Sequence, residues 1–211
     1  MPPEPFKFDG VWSEWKREQY SRLCKGTVLD YGCHTGEMVE WLTAKCLLGG
    51  GERASGYDID ANKILEGLRR NHWLRLYNKL PNLKFDTVIA WNVLEHIEDD
   101  QSALLQMLKM ARQRVVLSVP KEDDLSLPDS RVTYRPYVDP THKHYYTEER
   151  LRAMLPSGVR VRFEHTTRVR PALAYAKLGI PRWLCVVIDN LMWVFGRGTA
   201  LHANLVVVID K

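Results

Sequence analysis

The sequence predicts an α/β domain, a parallel sheet with helices on both faces. Three observations carry this. Short apolar runs alternate with helix-length patterns up to residue 120, and such alternation builds sheets whose strands run in one direction. The first apolar run ends in a turn bearing Gly32 and Gly36, which opens into a helical pattern. The second run ends in an acid, Asp58. A length of 211 residues, 45% of them hydrophobic, suits one domain spanning 1–211.

The elements follow in order. Residues Trp12–Leu23 follow an Asp-Gly turn and read as a helix, and Thr27–Asp30 as the first strand. Glu37–Leu48 is helical, because Met38, Leu42 and Cys46 recur at every fourth position. Gly49, Gly50 and Gly51 stop it. Ala54–Asp58 is a second strand, Ala61–Asn71 a helix, and Trp73–Tyr77 a weak third strand. Thr87–Trp91 is a buried fourth strand, followed by a helix running through Met110. Arg114–Val119 is the fifth strand, stopped by Pro120.

The second half is less regular. Pro128, Pro136 and Pro140 make 121–146 a loop, and a loop of that length in a compact domain is functional or mobile. We read it as an active-site loop. Thr147–Leu155 is a short helix with Thr147 as N-cap and Glu148 and Glu149 in its first turn. Val159–Phe163 and Leu205–Ile209 are strands, and between them 171–195 is an apolar helical insertion. The insertion suits a flap over an apolar substrate, a homodimer face or a peripheral membrane contact.

Net charge is +4 but unevenly spread. Residues 131–182 hold 11 Lys/Arg against 4 Asp/Glu, whereas 1–130 hold 17 against 20. The basic segment is either a solvated surface or a face that meets an anionic substrate, lipid headgroup or nucleic acid. Cysteines 24, 33, 46 and 185 form no CxxC pair and read as thiols of a reducing compartment. There is no signal-peptide pattern and no apolar run of about 18 residues. The expectation is a cytoplasmic protein.

Two motifs carry a cofactor reading. In VLDYGCHTGE, residues 28–37, a strand ends and glycines bracket a tight turn into a helix. Such a turn lets backbone approach a ligand and offers free N–H groups. In GYDID, residues 56–60, Asp58 closes the next strand, where a carboxylate can accept hydrogen bonds from both ribose hydroxyls of a nucleotide. Asp60 is the better helix N-cap.

With FDTVIAWNVLEHIEDD (85–100), VVLSVP (115–120) and DPTHKHYYTEERLRAML (139–155), these motifs resemble the class I S-adenosylmethionine (SAM)-dependent methyltransferases, small single-domain type. The resemblance implies a Rossmann-like, doubly wound, seven-stranded, mostly parallel sheet with an antiparallel last strand. It also implies SAM as cofactor. By that resemblance Asp30, Gly32, Cys33, His34 and Gly36 form the SAM pocket, Asp58 and Ile59 the ribose side, and Asn78 the adenine side. Trp91 and Asn92 then lie near the methionine part. His34 stands where the family usually has glycine, and Asn78 where an acid often binds the adenine amino group.

A third constellation joins Glu95 and His96 to His142 and His144. Both segments follow strand ends and should rim one cleft. His96, His142 or His144 is a candidate base that takes a proton from an acceptor hydroxyl. Alternatively Glu95, His96 and His142 hold Mg²⁺ or Mn²⁺ that acidifies the hydroxyl. A third reading is purely structural. RNA 2′-O-methyltransferases are similar here, with a Glu-x-x-Glu-His segment and a later His-Lys, but Asn92 replaces the first glutamate. The favoured function is therefore O-methylation of a small-molecule, sugar or lipid-linked glycan acceptor, with an anionic acceptor among the expectations. RNA 2′-O-methylation is the runner-up, and a non-catalytic SAM-fold binding protein is the third reading.

Overall fold

The computed structural model describes residues 14–44, 54–120, 140–168, 179–194 and 202–211. Its elements are α1 (Glu14–Ser21), β1 (Val28–Tyr31), α2 (Glu37–Ala44), β2 (Ser55–Tyr57), α3 (Ala61–Arg70), β3 (Arg75–Tyr77) and β4 (Phe85–Trp91). A 3₁₀ turn over Leu94–His96 follows. Then come α4 (Asp100–Met110), β5 (Ala111–Pro120), α5 (Glu148–Ala153), β6 (Arg160–Arg168), α6 (Arg182–Val194) and β7 (His202–Asp210). The expected loop therefore lies outside the described residues over 121–139, as do 171–178 and 195 of the insertion and the glycine run 49–51.

The strands form one seven-stranded sheet in the order β3-β2-β1-β4-β5-β7-β6. β1 to β5 pair in parallel, and β7 runs antiparallel to both β5 and β6. The chain winds outward from β1 to β3 and then returns to β4 on β1's other side. At that reversal the connections leave β1 and β4 on opposite faces and open a crevice at the carboxyl ends of the strands.

Strand alternation divides the core. Val88, Ala90, Val115, Leu117, Leu205 and Val207 meet Leu104, Met107 and Leu108 of α4 on one face. Val28, Ile89, Val116, Val206 and Val208 meet Met38, Val39 and Leu42 of α2 and Ile64 of α3 on the other. Strands buried on both faces read as continuous apolar runs, which is why VVLSV and LVVVI stood out in the sequence.

The helix after β4 departs from the expectation. It begins only at Asp100, because Asp99 accepts a hydrogen bond from Ser102 N (3.0 Å) and acts as its N-cap. The Leu-Glu-His segment before it forms the separate 3₁₀ turn. β5 starts three residues earlier than its apolar core suggested, at Ala111. Cys24, Cys33 and Cys185 are free thiols. Among the described residues no helix is long and apolar enough to cross a membrane. α6 turns Trp183, Val187 and Leu191, four residues apart, toward the exterior.

Gly67 sets how closely α3 approaches the sheet. A β-carbon there would lie 2.3 Å from the Thr35 carbonyl oxygen and 2.8 Å from Leu76 Cδ1. Gly67→Ala gains up to about 1 kcal/mol of helix propensity, but overpacking against backbone costs about 1–3 kcal/mol. The expected net result is a lower urea midpoint. An unchanged or raised midpoint would show that α3 is free to move away.

Candidate functional site

The turn after β1 is held by β2. Gly32 N and Cys33 N both donate to the Tyr57 carbonyl, at 2.7 and 2.9 Å. Gly36 N closes the turn on Cys33 O at 2.8 Å. Gly32 has φ +83°, and a β-carbon on it would meet Val93 Cγ2 at 2.4 Å. The turn after β1 therefore packs directly on the segment leaving β4. Cys33 is turned away from the crevice: its thiol is in the core beside Gly56, and its N–H and C=O are both used within the turn.

His34 sits in the left-handed region with φ +51°. That conformation costs a residue with a β-carbon roughly 1–2 kcal/mol, which explains why glycine is the ordinary occupant. Here the backbone is tied down: His34 N donates to Asp58 Oδ2 at 2.8 Å. The other oxygen, Asp58 Oδ1, accepts from Asp60 N at 2.9 Å. Asp60 in turn caps α3 through Asn62 N. Asp58 is thus fixed at the carboxyl end of β2 with lone pairs left for a ligand, and the adjacent Ile59 is 84% exposed.

Asp30 lies within β1 in the buried interior, one residue before the strand ends, where its register partners are Gly56 of β2 and Ile89 of β4. Its pKa is pushed up to about 7, first by burial and then by the nearby Asp58 carboxylate. Asn78 follows β3 and lines a recess of about 360 Å³ with Ala61, Ile64, Leu65 and Tyr77. That recess does not include Asp58 or Gly32, so it adjoins the crevice at the β3 side without filling it.

β4 delivers Trp91 and Asn92 to the same end of the sheet. The Trp91 ring lies against Tyr20 of α1, with centroids 3.4 Å apart and planes at 43°. Asn92 also takes a left-handed conformation, φ +50°. It is held by β5: its N–H donates to Ser118 O at 2.9 Å, and its side-chain oxygen accepts from Ser118 Oγ at 3.1 Å.

The histidines divide into two groups. Glu95, His96 and His142 come together, one ligand atom from each lying within 4.8 Å of the others. Glu95 is fully buried and His142 half-buried. The His96 and His142 rings stack edge to face at 4.8 Å. His96 Nδ1 is held by Thr141 Oγ1 and Thr141 O at 3.0 and 3.2 Å. Lys143 N donates to Glu95 O at 2.8 Å, clamping the two segments.

His144 belongs to a structural knot instead. Its Nε2 meets Glu98 O at 3.0 Å, and its Nδ1 meets Arg150 Nη2 at 3.1 Å. Since a guanidinium only donates, Nδ1 accepts and Nε2 carries the proton. Arg150 also pairs with Asp100 at 2.9 Å, and Asp100 accepts from Tyr146 Oη at 3.0 Å. Burial and Asp100 together keep the Tyr146 hydroxyl protonated. Lys143 pairs with Glu98 nearby. Sequence reasoning missed Tyr20, Asp100, Thr141 and Gly67. Of these only Gly67, an isolated glycine inside a helical pattern, carried a local signal.

A family model described as a methyltransferase domain matches residues 15–157. No curated protein matches the chain. Among solved structures, a SAM-dependent methyltransferase from Archaeoglobus fulgidus aligns with a TM-score of 0.57 at 21% identity, over 92% of this chain and 94% of its own. Magnesium protoporphyrin IX methyltransferase from Synechocystis, with SAH bound, aligns at 0.59 and 16% identity, over 93% and 82%. A plantazolicin methyltransferase in complex with SAH and a desmethyl analogue aligns at 0.60 and 13% identity, over 94% and 86%. These three share the fold, and the family model spans more than half of the chain. The chain belongs to the methyltransferase-domain family and is a SAM-dependent methyltransferase of class I architecture.

Proposed function

We propose that the protein, acting as a single domain, transfers the methyl group of SAM to a hydroxyl of a small acceptor: a small molecule, a sugar or a lipid-linked glycan. The observation that carries this reading is the His96–His142 pair beside the segment leaving β4. Methyl transfer from a sulfonium is a direct displacement. It needs the acceptor held in line and, for a hydroxyl, a base to take its proton. His142 is that base in this reading, with His96 oriented by Thr141. His144 is a positioning residue that fixes the end of the acceptor loop through Arg150 and Asp100.

In this reading Asp58 holds the ribose hydroxyls, Ile59 and Asn78 border the adenine, and Asp30, Gly32, His34, Gly36, Trp91 and Asn92 surround the methionine part. The acceptor lies beside Thr141 and His142, and α6 supplies apolar cover. Two solved fold relatives are named for magnesium protoporphyrin IX and plantazolicin, neither of them a nucleic acid. The basic segment argues against RNA as well. Lys143 and Arg150 are engaged with Glu98 and Asp100, and Arg160 and Arg162 start β6, at the end of the sheet opposite the crevice.

The convergence of Glu95, His96 and His142 favours a second reading of the same step, with a divalent cation acidifying the acceptor hydroxyl. Two imidazoles and one carboxylate fit such an ion, and Mn²⁺ better than Mg²⁺, which prefers oxygen donors. Glu95, His96 and His142 then hold the ion, and His142 is a ligand instead of the base.

The deciding experiment uses methyl-labelled SAM with hydroxylated metabolites and glycans on one side and total RNA on the other. Label on the small acceptors is expected, and label on RNA alone overturns the proposal. With the acceptor in hand, His142→Ala should lower turnover by about 10²–10⁴-fold while SAM affinity stays within a few-fold. Full turnover in chelator selects the base, whereas loss restored by Mn²⁺ selects the metal. Wild-type turnover by His142→Ala removes both.

Cofactor binding has its own tests. Asp58→Ala should weaken SAM more than tenfold by calorimetry, since each hydrogen bond to a charged acceptor contributes about 1.5–3 kcal/mol. Unchanged affinity would remove the ribose role. Asp30 adds a pH dependence. Its pKa is raised to about 7 in the fold, from about 3.9 in an unfolded chain. The protonated form therefore stabilises the ligand-free fold fully below pH ~4, and this is lost as pH rises through 7. A sulfonium cation favours the ionised form, so SAM should bind more tightly at pH 8 than at pH 6, with a shallower trend for SAH. Asp30→Asn should flatten both trends, and a persistent slope would assign them to another group.

A further inference from the structure

The amino end of the sheet, opposite the cofactor crevice, carries a second recess of about 520 Å³. Lys25, Arg112, Gln113, Arg160, Arg162, Asp210 and Lys211 line it. Strand register builds it. Asp210 of β7 pairs with Arg114 of β5 on one side and Arg160 of β6 on the other. Alternation along β6 sends Val161 and Phe163 against the core and leaves Arg160, Arg162 and Glu164 exposed. Arg160 and Arg162 are thus neighbours on one face, roughly 6.6 Å apart along the strand.

The charges do not cancel. Asp210 is taken by buried Arg114 at 2.7 Å. Asp86 accepts from Thr27 N, Thr27 Oγ1 and Gln113, with Arg112 at 3.6 Å. Glu164 lies 3.7 Å from Arg162. Lys211 Nζ donates to the carbonyls of Leu108 and Ala111, which fix it in position without neutralising it. Among the described residues, no side-chain carboxylate lies within ion-pair distance of Lys25 or Arg160, so six side-chain cations face three side-chain carboxylates around the recess. Lys25 and Arg162 add to Arg114 in holding the Asp210 carboxyl below its ordinary pKa.

We propose that this recess binds a small phosphorylated ligand carrying two or more phosphate groups. Guanidinium forks pair bidentately with phosphate oxygens. The spacing of Arg160 and Arg162 suits a short phosphate chain, with Lys25 as a point charge and Arg112 as a further guanidinium around it. The volume is that of a small-molecule site, and the cations gather in a recess instead of forming the extended track that a nucleic-acid backbone requires. The cofactor reading does not enter this argument, because the two sites occupy opposite ends of the sheet.

Calorimetry of the full chain with sodium tripolyphosphate tests it, at low salt and again at about physiological ionic strength. The expected result is saturable one-to-one binding that weakens with salt. It should fall at least tenfold in the Arg160→Ala/Arg162→Ala double variant, while SAH binding by that variant is unchanged. If the double variant fails to fold, Lys25→Gln on the facing wall should reduce tripolyphosphate affinity in the same direction. No saturable binding would overturn the proposal, as would undiminished binding by the variants. Binding of a single-stranded RNA oligomer without binding of tripolyphosphate would overturn it in favour of a nucleic-acid surface.

Discussion

The Tyr57 carbonyl accepts two amides from the turn after β1 and so locks that turn against β2. The rest of the crevice depends on this clamp. With the turn in place, Thr35 presents its carbonyl to α3 at a distance only glycine tolerates, and Gly32 meets Val93 without a β-carbon between them. The turn therefore touches the connections after β2 and β4, and through Gly36 it meets Leu74 and Leu76 at β3. Asp58 completes it by accepting from the His34 and Asp60 amides. One carboxylate thereby sets a strained residue and the start of a helix, while staying exposed enough to meet a ligand.

At the other side of the crevice, the chain from Thr141 onward is tied to the segment after β4. The knot of His144, Arg150, Asp100 and Tyr146 is half-buried and hydrogen-bonded throughout. Networks of this kind specify one arrangement because a partly satisfied version is costly. Its consequence for chemistry is indirect. It anchors α5 and the residues before it, which carry Thr141 and His142 to His96. His144 is tightly bound and His142 half-buried, although they differ by only two positions in sequence.

The two ends of the sheet have opposite electrostatic character. At the carboxyl ends lie the acids Asp30 and Asp58, and burial together with the Asp58 charge raises the pKa of Asp30. At the amino ends, cations exceed carboxylates around a separate recess. Charges at the two ends face solvent, where ions screen interactions beyond a Debye length of about 8 Å.

The sequence by itself determined the order of elements, the glycine turn and the acid closing β2. These are local: a turn needing left-handed backbone selects glycine, and a strand buried on both faces must be apolar. It also brought Glu95, His96 and His142 together on paper, since residues following adjacent parallel strands emerge at one end. It did not determine the start of α4, where the Asp99 cap outcompeted helical propensity over the preceding residues. Nor did it separate His142 from His144, or turn the Cys33 thiol inward. Those outcomes depend on Arg150, Thr141 and Gly56, residues of distant or unremarkable sequence position. The basic segment was legible as a charge excess, but only β6 register placed Arg160 and Arg162 at the end away from the crevice. Composition records charge, whereas the direction a side chain faces is set by which strand it pairs with and in which register.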